Sequence, residues 1–177
     1  MLKDHRLRLT KAEHDLIKFN RSKEEEIILI CSDLHIPYHH EDSINFLRAI
    51  KEHYNIKDNN PNHHIWNIGD EADFHGISMH DSETSLDTQH NETIKARKVF
   101  KELETIFPKM TLVHSNHGSM LYRRGKKHGI PNYMLRDYNE VLGVGNGWKW
   151  YADYKFKMNN NQWVFMTHGM KKNGLTL

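Results

Sequence analysis

Apolar runs of strand length recur along the chain and are separated by polar segments. Residues 27–31 (IILIC) are continuously apolar, as expected of a strand that is buried on both faces of a sheet. Residues 64–68 and 110–114 predict two more strands. Apolar and polar residues alternate over 148–156, which indicates a half-buried strand. The Asn-rich turn after it makes residues 162–168 its antiparallel hairpin partner.

Helical spacing of apolar residues fills the intervals between these strands. One helix is predicted over residues 41–54, and a longer one over 84–107, which Pro108 ends. Pro131 is typical of the first turn of a helix, here one that runs to about Leu142. Because strands and helices alternate before the final hairpin, the pattern predicts an α/β fold around a mixed β-sheet.

The composition indicates one domain and narrows the choice of partners. A chain of 177 residues is long enough to bury one core. We expect residues 1–26 to form a charged N-terminal segment with a short helix from Thr10, and residues 27–177 to form the domain. The net charge of +2 gives no general attraction to polyanions, so any contact with a phosphate must be local.

Two further features predict a cytoplasmic protein with no membrane partner. No apolar run approaches the length that spans a bilayer, and the N-terminus has no signal-peptide pattern. The single Cys31 cannot form an intrachain disulfide, which agrees with a reducing compartment. Because Cys31 lies inside an apolar run, we expect a buried hydrophobe rather than a nucleophile.

Polar residues of metal-ligand type directly follow four of the predicted strands. In open α/β sheets, ligands gather outside the carboxyl ends of the strands, where several segments converge. One Asp-x-His after a strand is weak evidence, whereas four clusters in series indicate a site. The clusters are Asp33-Leu34-His35, Gly69-Asp70-Glu71-Ala72-Asp73, Ser115-Asn116-His117-Gly118 and Thr167-His168-Gly169.

The chemistry of these side chains fits divalent cations. Mixed carboxylate, imidazole and amide ligands suit Mn²⁺, Fe²⁺ or Zn²⁺ better than Ca²⁺, which prefers oxygen alone. A carboxylate with two oxygens can also bridge two ions, as in two-metal phosphoryl-transfer sites. Asp33 and His35 are therefore predicted to be the first two ligands of a metal site.

The motifs SDLH, GDEAD, SNHG and THG, in this order, resemble those of the calcineurin-like metallophosphoesterase superfamily. The resemblance extends from about residue 27 to the end of the chain. It implies a sandwich of mixed β-sheets flanked by helices, and two divalent ions, with Mn²⁺ favoured and Fe²⁺, Zn²⁺ or Mg²⁺ as alternatives. It also implies a phosphoric ester hydrolase whose nucleophile is a hydroxide held between the two ions.

The resemblance further implies a role for each matching residue. His117 would be the general acid that protonates the leaving oxygen, and Asp73 would orient it. Asp70 would bridge the two ions. The full set of metal ligands would be Asp33, His35 and Asp70 for the first ion and Asp70, Asn116 and His168 for the second.

The sequence departs from the family pattern at several positions. Ser115 and Gly118 replace a Gly and an acidic residue that are not ligands, and Phe74 stands where protein Ser/Thr phosphatases carry a phosphate-binding Arg. The G-H-x-H motif, which supplies one His to each metal, does not follow His168. Two explanations remain open: a C-terminally incomplete chain, which the Leu-Thr-Leu ending favours, or a degraded site. With three protein ligands for each ion, we expect weak, partial metal occupancy and little activity.

A basic segment after His117, LYRRGKKHG (121–129), suggests the class of substrate. Arg123 and Arg124 can make forked contacts to a phosphate, and Tyr122 offers a face on which a base can stack. A solvated basic loop explains the same residues equally well. We expect a small nucleotide phosphomonoester, such as a (deoxy)nucleoside 5′-monophosphate.

Two alternative functions remain open. A DNA or RNA phosphodiesterase could use the same site, and its binding of nucleic acid would be sensitive to salt. A non-catalytic scaffold that has lost its metals would keep the fold without the activity. The missing G-H-x-H motif is the best argument for the scaffold.

Overall fold

The computed structural model describes residues 10–12, 25–78 and 85–169, which form a mixed α/β fold with a parallel sheet and helices. The helix predicted from Thr10 lies almost wholly outside these residues and stays a prediction. None of the helices in the described ranges is long and apolar enough to cross a membrane. The strands are β1 (Ile27–Cys31), β2 (His63–Asn67), β3 (Met110–Val113), β4 (Trp148–Tyr151), β5 (Tyr154–Lys157) and β6 (Trp163–Met166), and the α-helices are α1 (Ser43–His53), α2 (Gln89–Ile106), α3 (Met120–Lys127) and α4 (Tyr138–Leu142).

The strands form two separate sheets rather than one mixed sheet. A four-stranded sheet has the order β1-β2-β3-β4 with every pair parallel, and β5 and β6 form an antiparallel hairpin. The prediction of one strand over 148–156 is therefore wrong. Its first half is β4, the parallel edge strand, and its second half is β5, with exposed Ala152 and Asp153 between them. Alternation continues through this break, so the pattern alone could not reveal it.

The parallel sheet is covered on its two faces by different elements. The larger core lies between the sheet and the helices, with Phe100 and Leu112 both fully buried in it. A smaller core around Trp66 and Val113 packs against the hairpin. There, the Trp66 ring meets the Phe156 ring edge-on at 5.2 Å between centroids. The fold therefore has a helix layer, a parallel sheet and a hairpin layer.

The helix α2 confirms the longest predicted helix, although it begins later than the pattern suggested. Ala96, Phe100 and Leu103 form its buried stripe, as predicted. Its first residue is Gln89, because the Thr88 hydroxyl accepts a hydrogen bond from the Asn91 N–H at 3.4 Å and caps the helix.

The strand β1 has the predicted bounds, but the prediction that both of its faces are buried is wrong. Ile30 is 51% exposed. The sheet order gives the reason, because β1 is an edge strand and the hairpin packs mainly against Trp66 and Val113 of the two central strands.

Two helical segments differ from the sequence prediction. The basic segment expected to be a loop is the helix α3, whose buried Gly125 packs against Leu135. The helix predicted from Pro131 to Leu142 is interrupted instead. A 3₁₀ turn covers Asn132–Met134, and the Asp137 side chain then caps the short helix α4 by accepting from the Asn139 N–H. A Gly within a run of charges hides α3 from the periodicity.

Candidate metal centre

The first two ligand clusters are aligned by backbone pairing that continues past the ends of β1 and β2. The Asp33 N–H donates to the Gly69 carbonyl at 3.1 Å, and the His35 N–H donates to the Asp70 carbonyl at 2.9 Å. Ile36 then forms a parallel bridge with Ala72. Because the loops are registered in this way, the two clusters meet at the carboxyl edge of the sheet, as the sequence predicted.

Three of the predicted ligands adopt a backbone conformation that L-residues rarely occupy. The φ angles of Asp33, His35 and Asp70 are +54°, +47° and +51°. Each such residue costs on the order of 1–3 kcal/mol, and such residues cluster at functional sites, where the surrounding structure holds them. The loops therefore place these side chains at a cost in stability.

The side chains predicted to hold the second ion converge closely. His168 Nε2 lies 2.9 Å from Asn116 Oδ1 and 3.2 Å from Asp70 Oδ2. His168 Nδ1 lies 2.8 Å from the Ile68 carbonyl, which can only accept, so Nδ1 carries the proton and Nε2 presents a lone pair. Three acceptors thus face one another. Two ligands at about 2.1 Å from one ion are roughly 3 Å apart, so a divalent cation fits this donor set.

The side chains predicted to hold the first ion are more loosely grouped. Asp33, His35 and Asp70 each offer a ligand atom, and these atoms lie within 4.8 Å of one another. His35 Nε2 is 3.8 Å from Asp70 Oδ2. The Ser32 hydroxyl donates to the Asp33 carboxylate and so holds it. Asp70, which is only 6% exposed, therefore stands between both donor sets, which is the position of a bridging ligand.

Asp73 contacts two histidines through different groups. Its carboxylate accepts from His35 Nδ1 at 2.9 Å, which leaves His35 Nε2 to face Asp70, a usual arrangement behind a metal-bound His. The Asp73 carbonyl accepts from His117 Nδ1 at 2.5 Å, whereas its carboxylate is 3.7 Å from that nitrogen. The expected partnership of Asp73 with His117 thus runs through the backbone. His35, Asp73 and His117 also offer ligand atoms within 4.8 Å of one another.

The residues predicted to bind the substrate differ in what they contact. The Arg123 guanidinium donates to the Asn116 carbonyl at 2.5 Å, so it lies beside a predicted metal ligand. Arg124 instead donates from Nε to the Ile77 carbonyl at 2.7 Å and from Nη2 to the Ser78 carbonyl. Tyr122 is half-buried and lines a cavity between α3, α4 and β4. The structure therefore brings Arg123 to the centre, leaves Tyr122 in the cavity wall, and uses Arg124 to hold the segment after Phe74.

A buried pair behind the centre was not predicted from the sequence. Glu71 is 1% exposed and accepts a hydrogen bond from the Tyr138 hydroxyl, and burial raises the pKa of Glu71 to about 7. A Cβ at Gly118 would lie 2.9 Å from the Tyr138 oxygen and 3.1 Å from Glu71 Oε1. A side chain larger than that of Gly118 would therefore crowd this buried pair.

A second buried carboxylate, Glu92, supports the loop that carries Asp73. Glu92 is 1% exposed in the first turn of α2, and its Oε2 accepts from the Gly76 N–H at 3.1 Å. Burial raises the pKa of Glu92. The one sequence signal was a Glu on the apolar side of a helix, four residues before Ala96.

No protein-family model matches the chain, and neither a curated protein nor a solved structure matches it. The family resemblance of the motifs therefore stays a prediction that rests on the residues themselves.

Proposed function

We propose that this chain is a metal-dependent phosphoesterase of the metallophosphoesterase type, acting on a small phosphate monoester. The observation that carries this proposal is the convergence of Asn116 and Asp70 on His168, whose Nε2 lies 2.9 Å from Asn116 Oδ1 and 3.2 Å from Asp70 Oδ2. The layer order of helices, parallel sheet and hairpin is compatible with the sandwich that the resemblance implies. The carboxylate, imidazole and amide donors suit Mn²⁺.

The chain's own residues would divide the chemistry between binding and proton transfer. Two divalent cations at Asp70 would supply positive charge for the phosphate oxygens and an activated water. His117 would protonate the leaving oxygen. Because His117 Nδ1 donates to the Asp73 carbonyl, the proton that is transferred would come from Nε2 of the imidazolium.

The substrate side of the proposal rests on α3. Arg123 is exposed beside Asn116, where a guanidinium can contact a phosphate oxygen. Tyr122, on the same helix, would contact the group esterified to that phosphate. A nucleotide monoester has both a phosphate and a ring system esterified to it. Its binding needs no extended basic surface, which agrees with the chain's net charge of +2.

Hydrolysis of a panel of esters tests this function. The panel contains nucleoside 5′-monophosphates, glycerol 2-phosphate, a phosphodiester and single-stranded DNA, each assayed with Mn²⁺ and with a chelator. We expect monoester hydrolysis that needs Mn²⁺ and is lost in Asp70→Asn, and the exposed Asp153→Asn is the matched control. Undiminished hydrolysis after chelation would reject the metal-dependent mechanism. Preferential, salt-sensitive cleavage of DNA would reject the monoesterase and support the nuclease instead.

A further inference from the structure

A cavity of about 700 Å³ lies between α3, α4 and β4. We name it the aromatic cavity, because it is lined by His114, Tyr122, Tyr138, Trp148 and Trp150. Small-molecule sites in proteins usually have about 300–1,000 Å³ and a mostly apolar, aromatic lining with a few polar groups. The aromatic cavity therefore has the size of a ligand site and joins aromatic rings to polar groups, and the proposed function so far assigns a role only to its Tyr122.

The aromatic cavity and the metal centre share one loop. His114 and Ser119 line the cavity and flank the turn that carries Asn116 and His117. The Ser119 hydroxyl donates to the Asn116 carbonyl at 3.1 Å. The same carbonyl accepts a hydrogen bond from the Arg123 guanidinium, which is next to Tyr122 in the sequence. The helix that carries Tyr122 is therefore tied to the segment that carries the predicted ligand of the second ion.

The wall of the aromatic cavity is fixed before any ligand binds. Trp150 Nε1 donates to Asn139 Oδ1 at 2.6 Å, and the Trp150 ring meets Tyr138 edge-on at 4.6 Å between centroids. His114 stacks on Trp150 with an interplanar angle of 25°. Trp150 and Tyr122 remain partly exposed, so each has ring surface to offer. Flat, rigid aromatic surfaces of this kind favour planar ligands, because stacking costs little conformational entropy.

We propose that the aromatic cavity binds the leaving group of the substrate, and that this leaving group is a nucleoside whose base stacks on the rings of the cavity. The proposal rests on the proposed phosphoesterase function and adds where specificity comes from. Asp137 and Asn132 line the cavity and bring a carboxylate and an amide, groups that can pair with the polar edge of a base. An aliphatic ester such as glycerol 2-phosphate would leave the aromatic cavity empty.

Selectivity between two monoesters tests the proposal. The probes are adenosine 5′-monophosphate and glycerol 2-phosphate, assayed with Mn²⁺ and the full chain. In Tyr122→Leu and Trp150→Leu, we expect the ratio of kcat/KM for the nucleotide to that for the glycerol ester to fall by about 5- to 150-fold, mainly through KM, as for the loss of one stacked base. Tyr122→Phe and Trp150→Phe keep a ring and should restore most of the ratio. An unchanged ratio in both Leu variants would overturn the proposal.

A binding measurement separates failure of this proposal from failure of the proposed function. Adenosine carries no phosphate, so its binding in a chelator needs neither metal nor catalysis. We expect adenosine, but not ribose, to quench tryptophan fluorescence in a saturable manner, with affinity reduced about 5- to 150-fold in Tyr122→Leu. Absence of saturable quenching in the wild-type chain would overturn the nucleobase site even if both esters are hydrolysed. Quenching without hydrolysis of either ester would keep the site and reject the phosphoesterase.

Discussion

Replacement of Gly69 by Ala should disturb the metal centre, because the added Cβ would crowd His168. Gly69 has a φ of +108°, and a Cβ there would lie 2.5 Å from His168 Nδ1 and 2.8 Å from the Ser115 Cβ. His168 cannot move away without losing its hydrogen bond to the Ile68 carbonyl or its approach to Asp70. Gly69→Ala should therefore lower both the free energy of unfolding and the metal affinity.

The size of the effect follows from two contributions. An alanine at a strained positive φ costs about 1–3 kcal/mol, and an added methyl in a packed site costs about 1–3 kcal/mol, so we expect a loss of about 2–6 kcal/mol. Gly129→Ala is the matched control, because Gly129 has a φ of +73° and its Cβ would meet nothing within 4 Å. The control should lose only about 1–2 kcal/mol.

Denaturant unfolding in a chelator and Mn²⁺ titration together measure the two effects. We expect Gly69→Ala to weaken Mn²⁺ binding by about 10- to 100-fold, as for the disturbance of a ligand's supporting contacts, and Gly129→Ala to leave it unchanged. If Gly69→Ala bound Mn²⁺ as tightly as the wild type and lost no more stability than Gly129→Ala, this prediction would be wrong. The packing of His168 against Gly69 would then contribute neither to stability nor to metal affinity.

Three further substitutions or modifications test other parts of the centre. His117→Gln should lower kcat about 10²- to 10⁴-fold for alkyl esters but much less for p-nitrophenyl phosphate, whose leaving group needs little protonation; an equal loss would assign His117 another role. Glu92→Ala should lower kcat about 10- to 100-fold, because Asp73 loses its support, and Glu92→Gln should recover part of it, because an amide oxygen still accepts from Gly76; equal kcat values in both variants would contradict this contact. Cys31 is half-buried rather than fully buried as expected, and burial raises the pKa of its thiol to about 12, so a thiol reagent at pH 8 should label the folded chain much more slowly than the unfolded chain; equal labelling rates would contradict the raised pKa.

The sequence allowed the location of the candidate site to be predicted because the relevant signal is local. Asp33 and Asp70 directly follow apolar strands, and the carboxyl ends of parallel strands meet at one edge of a sheet. The strand β1 and the apolar stripe of α2 were predictable for a similar reason, since an unbroken apolar run of five residues and a helical repeat over an 18-residue helix are both local signals.

The parts that the sequence did not predict depend on contacts between distant residues. Whether Asp73 supports His117 through its carboxylate or its carbonyl is decided by where His35 lies, and no spacing encodes that. Tyr138 and Glu71 are hydrogen-bonded but lie 67 residues apart in the sequence, so no local motif identifies the pair. The break between β4 and β5 was hidden for a related reason, because both halves alternate in the same phase while packing in different sheets.

Titration of the full chain with Mn²⁺, followed by electron paramagnetic resonance, tests the central claim that Asp70 joins two donor sets. We predict that excess Mn²⁺ fills two positions per chain, that His168→Ala keeps one, and that Asp70→Asn loses both, with Asp153→Asn binding like the wild type. The loss of both ions through one carboxylate would follow only if that carboxylate contributes to each position. Binding of Mn²⁺ to Asp70→Asn with wild-type stoichiometry and affinity, or no specific binding to the wild-type chain, would contradict the account.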